Sequence, residues 1–154
     1  MKDDVQRILV ACHMIGHCSK VVHYGVSLAR TYDARLYVLQ VIHNPFSYEG
    51  WNLPVASLEE EYRRLQQKAK EKLDADIDAE RSGQLAIEEI IKEGLPSKVI
   101  MEVVEEKKIN LLVLEAHEEG HLEHFLFGRS NEELIRKMPC SIFLVKKRLS
   151  QAAW

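Results

Sequence analysis

Short apolar runs rich in β-branched residues recur along this chain, and what separates them is helical periodicity rather than a hairpin turn. The first is Arg7-Ile8-Leu9-Val10-Ala11-Cys12; from Ser19 onward Val21, Val22, Tyr24, Gly25, Leu28 and Ala29 fall at helical spacing. Arg35 to Ile42 repeats the strand signal. Ser57-Leu58-Glu59-Glu60 has the form of a capping box, so a long, charged and largely solvated second helix is expected from Ser57 to about Arg81, ended by Ser82-Gly83. Ala86 to Lys92 reads as a third strand. Gly94-Leu95-Pro96 turns the chain into a third helix with Pro96 in its first turn and Val99, Ile100, Val103 and Val104 as its buried stripe. Leu111 to Glu115 is a fourth strand, Ser130-Asn131-Glu132-Glu133 opens a short helix through Lys137, and Ser141 to Lys146 is a fifth strand.

Strands joined through helices run parallel, and a parallel sheet is covered on both faces, which explains why these runs are continuous rather than alternating. The expected fold is doubly wound α/β around one five-stranded parallel sheet: a single domain over residues 1–146 with a short tail at 147–154. With 154 residues, 46% of them apolar, the chain has enough material for one core. A formal charge of -3 offers no general attraction to nucleic acid or to anionic lipid, and Lys146-Lys147-Arg148 is too short to reverse this. No apolar run approaches the ~20 residues of a membrane helix. Met1-Lys2-Asp3-Asp4 is polar and lacks a signal-peptide core behind it, and Cys12, Cys18 and Cys140 form no disulfide framework. The expectation is a cytoplasmic protein without nucleic-acid or membrane partners. The irregular segment His43 to Ala56 carries Phe46, Tyr48 and Trp51, residues suited to a lid, a contact surface or a cover for the sheet edge.

Several strings stand in a particular order: Ile8-Leu9-Val10; Leu28-Ala29-Arg30 leading into Ala34-Arg35-Leu36; Glu93-Gly94-Leu95-Pro96; Glu115-Ala116-His117; Gly128; and Met138-Pro139-Cys140-Ser141-Ile142-Phe143-Leu144-Val145. Taken together they resemble the universal stress protein family over nearly the whole chain, Arg7 to Lys146. The resemblance implies a 3-2-1-4-5 strand order, a homodimer, and a crevice at the carboxyl ends of strands one and four that in one branch holds ATP or AMP. A switch point in the strand order favours that same crevice on physical grounds. Candidate ligand residues there are Ala11, Cys12, His13, Val41, His117, Gly128, Arg129 and Ser130.

The nucleotide-binding branch carries Gly-x2-Gly-x9-Gly-Ser/Thr after the fourth strand, and the aligned positions here are Glu115, Glu118, Gly128 and Arg129. Glycines let backbone amides approach phosphates closely, and two of the three are replaced by glutamate. A carboxylate about 4 Å from a phosphate oxygen costs roughly 1 kcal/mol per charge pair in water and about 4 kcal/mol at an intermediate dielectric. His13 stands where the branch has an adenine-recognising aspartate. Arg129 and the Ser130 cap retain an anion-attracting helix start. Leu95 replaces the Asp or Asn helix cap common in the family, a matter of local stability.

The same crevice offers a second chemistry. His13, His43 and His117 follow strands one, two and four, with Cys12, His17, Cys18, His121 and His124 nearby; imidazole and thiolate suit Zn2+, and Glu115 and Glu118 add oxygens. The plainer reading makes these solvated loop histidines, with Cys12 and Cys140 as small buried residues in strands. His117-Glu118-Glu119-Gly120-His121 matches the His-Glu-x-x-His string of zinc proteases by chance, since it follows a strand and Gly120 interrupts any helix. Cys18, read as a loop residue, needs a lowered thiol pKa for redox work. No nucleophile-base pair has an interpretable spacing, so no catalytic residue is assigned and the chain is not expected to be an enzyme; weak ATP hydrolysis belongs to the nucleotide-binding alternative.

Ile142-Phe143-Leu144-Val145 is apolar, and the family order makes it an edge strand, where unpaired backbone is a docking hazard. A homodimer through Ser141 to Lys146 is expected, the alternative being a monomer with Leu149 to Trp154 folded over the edge. The preferred function is a dimeric stress-response or regulatory protein that does not use the glycine motif; the alternatives are an ATP- or AMP-binding sensor and a metal-binding variant.

Overall fold

The computed structural model describes residues 4–13, 18–42, 56–81, 83, 85–116 and 135–146. Strand β1 (Arg7–His13), helix α1 (Ser19–Tyr32), β2 (Arg35–Ile42), α2 (Ala56–Glu80), β3 (Ile87–Glu93), α3 (Pro96–Glu106), β4 (Leu111–Ala116) and β5 (Ser141–Lys146) follow in that order. They form one parallel sheet in the order β3-β2-β1-β4-β5. Each of these elements occupies its expected place, with small shifts at the ends. Ala56 opens α2 rather than closing the preceding loop, and β1 and β4 each run one residue further, to His13 and Ala116. Residues 135–137 are helical, as expected for the end of the helix opening at Ser130. Residues 43–55 and the tail at 147–154 lie outside the described residues.

Period-two alternation along β1 sends Ile8, Val10 and Cys12 to one face and Leu9 to the other. The first face packs with Val21, Val22 and Val26 of α1 and Leu73 and Ile77 of α2; the second packs with Val99, Ile100, Val103 and Val104 of α3. A central strand buried on both sides must be apolar over its buried length, and this one is from Ile8 to Cys12. Val26, rather than Tyr24, completes the buried stripe of α1; Tyr24 instead leans on Phe143 of β5, ring centroids 5.9 Å apart.

Close approach of α1 to the sheet depends on Gly25, where an added Cβ would lie 2.2 Å from Val10 Cγ2. Asp33 ends α1 in the left-handed region at φ 52, its amide donating to the Ala29 and Arg30 carbonyls. At the amino edge, Asn110 Oδ1 accepts from the amides of Gln6 and Arg7 at 2.9 and 2.8 Å, which sets β4 beside β1. Leu95 caps α3 with no side-chain hydrogen bond, and Pro96 follows in the first turn. Among the described residues no helix is long and apolar enough to cross a membrane.

Candidate functional site

The ladder between β1 and β4 pairs Ile8, Leu9 and Val10 with Leu111, Leu112 and Val113, whereas β1 stays paired with β2 as far as His13. Beyond Val10 and Val113 the two central strands part. This is the point where the order of connections reverses, β1 leading to β2 on one side and β4 leading to β5 on the other, so the crevice follows directly from the topology.

Of the residues expected to line it, Ala11 and Cys12 sit on the unzipped end of β1, and the backbone of His13 ends that strand. Val41 lies beside His13 in the β1–β2 register and is buried in the cluster under α3. Val41 is therefore part of the packing under α3. His43, His117, Gly128, Arg129 and Ser130 lie outside the described residues, as do His17, Glu118, His121, His124 and the side chain of His13. Among the described residues no three His, Cys, Asp or Glu side chains cluster closely enough to hold a metal ion.

Cys12 is buried on the α1–α2 face, and so is Cys18, which occupies the N-cap position of α1. Cys18, read from sequence as a loop residue, stands at the helix start and is buried in the same cluster as Cys12. Burial above all pushes the Cys12 thiol well above its ordinary range, followed by its side-chain hydrogen bond and electrostatic interaction with Cys18 and then by the negative charges of Asp76 and Glu115. Asp76 comes from α2 and Glu115 from the end of β4, so carboxylates of two different elements act on Cys12. Gln40 joins this side: it pairs with Cys12 in register, is 3% exposed, and its Oε1, like Asp76 Oδ2, is buried without a hydrogen-bond partner.

Gln40 and Asp76 were not singled out from sequence. The available signal for Gln40 was its place as the one amide side chain within an apolar run; for Asp76 it was adjacency to Leu73 and Ile77, the stripe by which α2 packs. Charge along the rest of α2 hides that stripe.

The expected interface strand β5 is an edge, as read. Leu144 is 50% exposed, Ile142 and Phe143 are half-buried, and the carboxyl end is tied to the body of the fold where Lys20 Nζ donates to the Lys146 carbonyl oxygen.

Comparison with known proteins agrees with this arrangement. The sequence profile of the Universal stress protein family matches residues 4–146. The chain is similar to a universal stress protein of Methanocaldococcus jannaschii, 31% identical over 129 residues, which cover 80% of this chain and 72% of that one. Among solved structures it resembles universal stress protein UspA from Lactobacillus plantarum, with a TM-score of 0.71, 18% identity and coverage of 92% and 97% of the two chains. A universal stress protein family protein from Arabidopsis thaliana, solved with AMP bound, has a TM-score of 0.60, 15% identity and coverage of 96% and 98%.

Proposed function

This chain belongs to the universal stress protein family, and from that premise we propose that it is a cytoplasmic homodimeric regulator of the stress response whose crevice does not hold ATP through the family's glycine motif. The observation that carries the reading is the charge at the base of the crevice. Glu115 occupies the first glycine position of the motif, and its carboxylate acts together with that of Asp76 on Cys12. Phosphate groups brought to this end of the sheet meet carboxylates where close-approaching amides are needed, and the interaction is repulsive. With no catalytic residue assigned, the protein acts through contacts, and the apolar β5 edge supplies the surface for a second copy.

A second reading is favoured by the AMP in the Arabidopsis thaliana relative: an adenylate sensor in which Arg129 and the Ser130 cap hold the phosphate. Calorimetric titration of the purified dimer with ATP and with AMP, each with and without Mg2+, separates the two. The preferred reading predicts no saturation below about 1 mM. A micromolar Kd that Arg129→Ala weakens at least tenfold would replace it with the sensor. Zinc analysis of the same preparation tests the histidine site: bound zinc that falls in His13→Ala or His117→Ala would establish the metal-binding variant.

A further inference from the structure

We propose that Cys12 and Cys18 form a redox modification site, a dithiol that closes to one intramolecular disulfide when oxidised by a hydroperoxide. The inference goes beyond the regulatory reading above and does not depend on what the crevice binds.

Three free thiols are present, and the sheet divides them. Cys12 and Cys18 belong to the core under α1 and α2, whereas Cys140 packs against the opposite core, under α3. Only one pairing within the chain is therefore open. The two sulfurs are already within hydrogen-bonding reach of each other. Cys18 stands at the N-cap of α1 without a side-chain capping bond to that helix. Six positions separate the two residues, with Cys12 at the unzipped end of β1 and Cys18 at the start of α1, so closing the bond links two elements already joined by a short connection.

The surroundings assign the roles. Burial and the bond to Cys18 keep the Cys12 thiol protonated, which makes it the poorer first nucleophile and leaves the initial attack to Cys18. The Cys18 sulfur attacks the distal hydroperoxide oxygen and the O–O bond breaks. Its proton passes to the departing oxygen, giving an alcohol (water, for hydrogen peroxide) and a sulfenic acid on Cys18. The Cys12 sulfur then attacks the Cys18 sulfur, an S–S bond forms, the S–O bond breaks, and the Cys12 proton leaves with the hydroxyl as water. Both sulfurs are oxidised by one electron each, and the hydroperoxide is reduced by two. Both thiols are buried, which favours an oxidant of nearly the size of water, a small hydroperoxide, over a bulky one.

Trypsin makes the test direct, because Ile8 to Lys20 is one peptide carrying both cysteines, while Met138 to Lys146 carries Cys140. The native protein is treated with graded hydrogen peroxide, alkylated under denaturing conditions, digested and weighed. The expected result is loss of both alkylation sites of the 8–20 peptide together, with the two hydrogens of a disulfide gone and both sites restored by dithiothreitol. In Cys12→Ser the reaction should stop at a sulfenic acid on Cys18 that dimedone traps. The wild-type measurement decides the matter even if that variant fails to fold. A peptide that keeps both alkylatable thiols after Cys140 is fully oxidised, or that loses one site alone or accumulates sulfinic acid, would overturn the proposal.

Discussion

The two edges of this sheet are built in opposite ways. Strand β3 is laced with charge: Glu88 pairs with Arg35 at 3.3 Å and Lys107 at 3.6 Å, and Lys92 pairs with Glu106 at 3.0 Å. Above it Asp74 of α2 bonds to Lys70 and shares a hydrogen bond with Glu89, while Arg35 and Lys107 both lie over the Tyr37 ring. Strand β5 is Ser-Ile-Phe-Leu-Val-Lys, apolar over four residues, with Leu144 open to solvent. A charged edge resists strand addition, whereas an apolar one invites it. The same sheet thus carries one edge that resists strand addition and one left open to it; the proposed homodimer uses the second, where a symmetric contact would close without further growth.

Substituting the exposed apolar residue on each edge tests this contrast most severely. Leu144→Glu on β5 should weaken self-association at least a hundredfold, about 3 kcal/mol, as read by sedimentation equilibrium. Ile91→Glu, at the exposed apolar position of β3, should leave the association constant within about threefold, under 1 kcal/mol. Equal losses in both variants would remove the distinction between the edges.

A smaller effect sharpens the account of β3. Burial, then the hydrogen bond and negative charge of Asp74, push the Glu89 carboxyl from its ordinary 4.5 to about 7. Folding therefore binds a proton at Glu89 between those values, and its contribution to stability is complete below pH 4.5 and lost as pH rises towards 7. Asp74 is held below its ordinary 3.8, first by its hydrogen bond to Glu89 and then by Lys70, and its contribution is lost as pH falls below that value. Stability should therefore peak between these limits and decline by about 1 kcal/mol towards pH 8, once solvent screening at Glu89 is allowed for. Glu89→Gln should flatten that decline in urea titrations at pH 5 and pH 8; an unchanged pH slope would show that the carboxyl pair does not govern it. The smallest effect belongs to a single surface charge: Lys107→Ala should change unfolding free energy by less than about 0.5 kcal/mol, since an exposed ion pair is screened.

Much of the fold was legible because burial on both faces forces continuous apolar strands, as in Leu9-Val10 and Leu112-Val113. Helix starts at Ser19 and Pro96 were equally plain. The element ends were less so, since a β1 that outruns its β4 partner depends on tertiary divergence that no local pattern encodes. The site was legible in part. Cys12 was placed correctly as a buried strand residue, but Cys18 precedes its helix in sequence and gives no local sign that it is buried there. Asp76 belongs to a helix whose charged surface outweighs a stripe of two apolar residues, and its electrostatic reach to Cys12 arises only when α2 packs. The candidate residues from His117 to Ser130 fall outside the described residues and stand as sequence readings.

Native mass spectrometry of the untagged protein tests the central claim most directly, since one spectrum reports both subunit number and retained small ligand. The account predicts a dimer at twice the chain mass carrying no adenylate, and a monomer for Leu144→Glu. A wild-type monomer, or a dimer carrying stoichiometric ATP, would contradict it.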